Sequence, residues 1–115
     1  MSKRSPITTH VLDVSRGKPA SGIECKLEKL DEKKGWIPSG TGTTNSDGRV
    51  ESLLSESLSP GIYRIEFLTK AYFDQQKTRS FYPAVNIQFE VSDAQEHYHV
   101  PLLLSPFGFS TYRGS

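Results

Sequence analysis

Apolar and polar positions alternate with a period of two along most of the chain, the repeat of strands buried on one face. From Ile7 to Val14, residues Thr8, His10, Leu12 and Val14 fall on one face, and Ile7, Thr9, Val11 and Asp13 on the other. Pro6 precedes this stretch and Ser15-Arg16-Gly17-Lys18-Pro19 follows it, so a first strand ends in a turn. Ile23, Cys25 and Leu27 alternate with Glu24, Lys26 and Glu28, which predicts a second strand with its charges outside. Asp31 to Gly35 is polar and reads as a loop. Trp36 to Thr44 predicts a third strand, weakened by Pro38, Gly40 and Gly42.

Asn45-Ser46-Asp47-Gly48 is a strong turn sequence, and it holds Arg49 at the start of the next strand. Glu51 to Ser59 has weak periodicity and predicts a short edge strand with a loop, ended by Pro60-Gly61. Ile62 to Leu68 is a clear strand with Tyr63, Ile65 and Phe67 inward. Thr69 to Lys77 has no β-branched residue in its body and predicts the one helix, of about two turns, with Thr69 as its cap. Val85, Ile87, Phe89 and Val91 mark a further strand, and Ser92 to Gln95 a turn. The segment from His97 onward predicts a hairpin around Ser105-Pro106-Phe107-Gly108, which brings His99 near Tyr112 and the chain end. Its pairing is expected to stop before Gly114. About eight short strands separated by turns argue an all-β sandwich rather than βαβ units.

Composition narrows the partners. The 115 residues suit one domain spanning 1–115. Fourteen basic and 13 acidic residues give a net charge of +1, interspersed rather than blocked, so neither nucleic acid nor a membrane surface is an expected partner. The single cysteine, Cys25, excludes an internal disulfide, and its place between Ile23 and Leu27 makes it a core thiol. No stretch matches a signal peptide's apolar region or the roughly 20 apolar residues of a membrane span. The expectation is a cytoplasmic protein, or a peroxisomal one if a targeting extension is missing.

His97 and His99, two apart in a strand, share a face. With His10 they would make a three-histidine set of the kind that holds zinc with an open position for water; solvent-exposed histidines without function are the simpler alternative. Arg49 alone reads as a solvated strand-start residue, and Ser115 as a frayed terminus. No nucleophile elbow, phosphate loop or dinucleotide fingerprint is present.

Several segments carry a more specific likeness: Thr8-Thr9-His10-Val11-Leu12-Asp13, Arg16-Gly17 with Pro19-Ala20, Thr44-Asn45 with Asp47-Gly48-Arg49, Phe81-Tyr82-Pro83, His97 through Pro106, and Tyr112-Arg113-Gly114-Ser115. Together they resemble the 5-hydroxyisourate hydrolases, the transthyretin-related proteins of urate degradation. The resemblance implies a transthyretin-like sandwich of two four-stranded sheets with one short helix, and a homotetramer whose central channel holds the active sites. It implies a catalytic set of His10, Arg49, His99 and Ser115, with Tyr112 and Arg113 shaping a substrate site that His10, Arg49 and Ser115 also line, and neither metal nor cofactor. Phe109 stands where many relatives have tyrosine and touches none of these roles.

The implied reaction is hydrolysis of the ring amide of 5-hydroxyisourate to 2-oxo-4-hydroxy-4-carboxy-5-ureidoimidazoline. His10 and His99 would hold and deprotonate the water, Arg49 would balance the electron-rich ring and favour a neutral imidazole beside it, and Ser115 would relay a proton or bind substrate through its hydroxyl and terminal carboxylate. A small-molecule carrier is the second reading, since transthyretin shares the fold; the bulk of Tyr112, the histidine pair and the Tyr-Arg-Gly-Ser ending argue against it. A plain interaction module would explain none of the matched residues.

Overall fold

The computed structural model describes residues 5–55 and 57–115. Among them are nine strands and one helix: β1 (Ile7–Asp13), β2 (Lys18–Pro19), β3 (Glu24–Asp31), β4 (Gly35–Thr43), β5 (Arg49–Val50), β6 (Gly61–Phe67), α1 (Thr69–Gln75), β7 (Val85–Val91), β8 (Tyr98–Ser105) and β9 (Gly108–Thr111). One sheet runs β4-β3-β6-β7, all antiparallel. The other runs β2-β1-β8-β9, with β5 also on β1. β2 pairs with Leu12 and Asp13, and β5 with Thr9 and His10, so two short strands divide one edge of β1 between them. That raises the second sheet to five strands where four were expected.

The period-two pattern explains the layers. In β1, Ile7, Thr9, Val11 and Asp13 are buried while Thr8, His10 and Leu12 are half-buried on the outer face. Inward residues from both sheets close one core, including Ile7, Val11, Cys25, Leu27, Ile65, Phe67, Val85 and Leu102. Burial pushes the Cys25 thiol up to about 12, with Glu24 adding to it, which suits an inert core thiol.

Two element expectations change. Glu51 to Ser59 forms no strand among its described residues, Glu56 lying outside them. Its consecutive Leu53 and Leu54 are both buried, which a loop folded over the sandwich allows and an alternating strand does not. The loop is tied to β4 instead, through Ser55 N and Oγ donating to the Ser39 carbonyl at 3.0 and 2.8 Å. β4 itself survives Pro38 because it is an edge strand and its register shifts there, leaving Ser39 as the extra residue between Leu27↔Gly40 and Glu28↔Pro38.

The second change is at α1, where Leu68 rather than Thr69 occupies the N-cap and no side chain caps the helix. Leu68 N donates to Glu24 O at 3.0 Å and Lys70 N to Pro83 O at 3.3 Å, so neighbouring backbone supplies the acceptors a cap would otherwise provide. The helix packs through Thr69, Tyr72 and Phe73. Tyr72 Oη donates to Asp13 Oδ2 at 2.7 Å, which pins it to the end of β1. No helix of the described residues is long and apolar enough to cross a membrane.

Candidate active site

The outer face of the five-stranded sheet collects the polar residues. β1 and β8 run parallel, with Thr8 opposite His99, His10 opposite Pro101 and Leu12 opposite Leu103. On the other side of β1, His10 is opposite Arg49. Residues opposite one another across neighbouring strands project from the same face. His10, Arg49 and His99 therefore share one surface, as the first strand's alternation predicts.

The turn before Arg49 sets that register. Asn45 Oδ1 accepts hydrogen bonds from the backbone N–H groups of Asp47 at 2.9 Å and Arg49 at 3.0 Å. Gly48 has φ +76°, and its carbonyl accepts from Val11 N at 2.7 Å. A Cβ at Gly48 would lie 2.5 Å from the Val11 carbonyl oxygen, so glycine is needed for both the torsion and the approach. The Asn-Ser-Asp-Gly turn thereby delivers Arg49 to the His10 edge.

Burial lowers the pKa of His10 below its usual 6.5, and the positive charge of Arg49 lowers it further; the Asp47 backbone and carboxylate act against them. The net direction favours a neutral imidazole at neutral pH, the form a general base requires.

The C-terminal segment reaches the same face. β9 pairs with β8 through Leu103↔Ser110 and Leu102↔Thr111, and the alignment resumes beyond the strand with His99↔Gly114. Gly114 N donates to His99 O at 2.9 Å, so pairing extends to Gly114 instead of stopping before it. Tyr112, two residues before Gly114, falls in register opposite Pro101, and its side chain is exposed. Ser115 follows at once and is exposed beside this edge.

Arg113 is placed differently. Its Nη2 donates to Glu96 Oε1 at 2.8 Å and to His97 O at 3.1 Å, and its guanidinium lies 4.5 Å from the centre of the Tyr98 ring. Tyr98 points inward from β8, opposite to its neighbour His99. Arg113 therefore clamps the tail from the side away from His10 and Arg49. A cavity of about 240 Å³ opens there, with Phe89, Tyr98, His99, Val100, Tyr112 and Arg113 in its lining; it reaches His99, but His10 and Arg49 are not part of it. Among the described residues, no group of three or more His, Cys, Asp or Glu side chains is arranged to hold a metal ion.

Thr8 is the residue that sequence reasoning missed as a site component. Its hydroxyl lies 2.8 Å from His99 Nδ1 and 3.1 Å from His97 Nε2. The two imidazoles are nearly parallel, at 14°, with centroids 6.5 Å apart. Its position on the His10 face, two residues earlier, is the signal that could have found it.

Comparison with known proteins identifies the family. The model of the HIUase/Transthyretin family matches residues 7–114. The chain belongs to that family. It is 46% identical over 110 residues to the 5-hydroxyisourate hydrolase of Salmonella dublin, covering 95% of this chain and 80% of the relative. Its structure superposes on the 5-hydroxyisourate hydrolase of Klebsiella pneumoniae with a TM-score of 0.82 and 33% identity, covering 96% of this chain and all of the other. Sea bream transthyretin, solved in complex with thyroxine, gives a TM-score of 0.89 at 32% identity, covering 95% and 94% of the two chains. The HIUase/Transthyretin fold is thus common to 5-hydroxyisourate hydrolases and to a transthyretin solved with thyroxine, so fold alone does not fix function.

Proposed function

We propose that this chain is a 5-hydroxyisourate hydrolase of urate degradation, opening the ring by attack of water on its cyclic amide carbonyl. The observation that carries this is the register placing His10 between Arg49 on β5 and His99's strand β8, with all three side chains on one outer face. A carrier needs no basic imidazole held beside a guanidinium. Amide hydrolysis needs a base for water, positive charge for the developing oxyanion and a proton for the leaving nitrogen. His10 and His99 serve the water and the proton, and Arg49 faces the anion. Tyr112 and the Ser115 hydroxyl bound the substrate from the tail.

The site is open in a single chain. Leu12 and Leu103 are half-buried on the same face, and Val14 beyond them is 49% exposed. Four copies arranged around these faces would cover this surface and shield the reacting groups from bulk water.

The decisive experiment supplies freshly generated 5-hydroxyisourate, made from urate by urate oxidase, and follows its near-ultraviolet absorbance. Addition of the protein should accelerate the decay. An unchanged decay at micromolar protein would overturn the hydrolase reading and leave the carrier, to be checked by thyroxine titration.

A further inference from the structure

We propose that Thr8 is a positioning residue that fixes the ring of His99 and couples its tautomer to that of His97. The inference deepens the hydrolase reading and rests on it for the kinetic part of its test. The parallel register sets Thr8 directly opposite His99, and its single hydroxyl lies within hydrogen-bond reach of both rings, at 2.8 Å from His99 Nδ1 and 3.1 Å from His97 Nε2.

A hydroxyl carries one proton and accepts through its lone pairs. Between two neutral imidazoles it can donate to at most one ring, so at least one of the two must present an N–H to it. The two rings are therefore not free to choose tautomers independently. In one arrangement His99 Nδ1–H donates to Thr8, Thr8 donates to His97 Nε2, and His99 Nε2 carries a lone pair. In the reverse arrangement Thr8 donates to His99 Nδ1, Nε2 of His99 holds the proton, and that ring cannot act as a base.

The first arrangement is also the one that survives catalysis. When His99 Nε2 takes a proton from water, the ring becomes an imidazolium whose two nitrogens both donate. Nδ1–H still donates to Thr8, and the Thr8 hydroxyl still donates to His97 without turning. Proton uptake then requires no reorganisation on this side of the ring, the condition under which a positioned dipole helps most. Gly114 completes the hold: the position of its missing Cβ lies 2.6 Å from Cδ2 of His99, so the ring is bounded by Thr8 on its Nδ1 edge and by the tail on its Cδ2 edge. Nε2 is the ring nitrogen of His99 that Thr8 does not engage.

The test compares Thr8→Val, which keeps the branched shape and removes the hydroxyl, with Thr8→Ser, which keeps the hydroxyl. Thr8→Val should lower kcat about tenfold with KM nearly unchanged, the loss expected for one hydrogen bond to a reacting group, and Thr8→Ser should recover most of it. In ¹⁵N-histidine spectra of the unmodified protein at neutral pH, His99 should carry its proton on Nδ1, and in Thr8→Val that preference should weaken. A Thr8→Val enzyme as fast as the original, a Thr8→Ser enzyme as slow as Thr8→Val, or a proton on Nε2 of His99 in the unmodified protein would overturn the proposal. If the unmodified protein fails to hydrolyse 5-hydroxyisourate, the functional reading falls by itself, and the tautomer spectra still decide whether Thr8 controls His99.

Discussion

Gly114 packs against the imidazole of His99, so closely that a Cβ added there would lie 2.6 Å from its Cδ2 atom and 3.1 Å from Cγ of Pro101. Gly114→Ala must therefore either turn the ring or lift the tail carrying Ser115. Misplacement of a reacting group by about 1 Å costs on the order of 10²-fold, and kcat of Gly114→Ala should fall by roughly that amount. Its thermal midpoint should hold, because the change lies beyond the regular pairing of β9 with β8. Full activity in Gly114→Ala would show that the contact between tail and ring is not needed.

The pairing of His10 with Arg49 fixes a pH dependence. Arg49 disfavours the imidazolium, so with burial it holds the His10 pKa below 6.5. kcat/KM should rise with pH as His10 loses its proton, with a midpoint under that value. In Arg49→Gln the nearby positive charge is gone, and the midpoint should move upward, whatever the loss in absolute rate. A limb that stays in place would mean that another group governs it.

Arg113 touches Glu96, the His97 carbonyl and Tyr98, which makes it an anchor for the tail. Glu96→Gln should then slow kcat slightly, by less than about fivefold, since an exposed ion pair in water contributes little. Arg113→Ala should slow it further, and the double variant should be no worse than Arg113→Ala alone. If Arg113 instead gripped substrate, Arg113→Ala would raise KM and Glu96→Gln would leave the kinetics untouched.

Asp13 is fully buried and accepts from Ser15 Oγ at 2.6 Å, Tyr72 Oη at 2.7 Å and Arg16 N at 3.2 Å. Burial pushes its carboxyl pKa up, but these hydrogen bonds outweigh it and the net direction is down. The stability so gained is present above the carboxyl's unfolded pKa and is lost as pH falls through its lower folded value. Tyr72→Phe should cost about 1–3 kcal/mol in urea unfolding at neutral pH and narrow the acid-stable range. Its kcat should be unchanged, since Asp13 lies on the face of β1 opposite His10. Unaltered acid stability would show that Tyr72 does not support the carboxylate.

Much of this was legible because one-sided burial imposes a period of two. The alternation from Ile7 to Asp13 assigns His10 to the outer face, and the Asn45 to Gly48 turn announces Arg49. The division between Tyr112 and Arg113 obeys the same parity, but a tail outside the regular strand gives no local reason to extend it. Only the His99↔Gly114 bridge shows that it continues. Thr69 illustrates the opposite failure: its hydroxyl suits a cap, yet the backbone of Glu24 and Pro83 supplies the start of α1 from elsewhere in the chain. Thr8 escaped notice because threonine is already at home in a strand, so its presence there demanded no further explanation.

The parallel pairing of β1 with β8 joins residues 91 positions apart, Thr8 with His99. Contacts of such sequence separation form late, since the intervening chain must first be closed into a loop. On the ribosome, β3 and β4 can meet as soon as they emerge, and β6 and β7 soon after. His10 and Arg49 meet in that same early period, but His99 joins them only once β8 has been made. The reactive face is thus begun early and completed late, and a chain cut short before β8 would hold half of its chemistry with nothing to complete it.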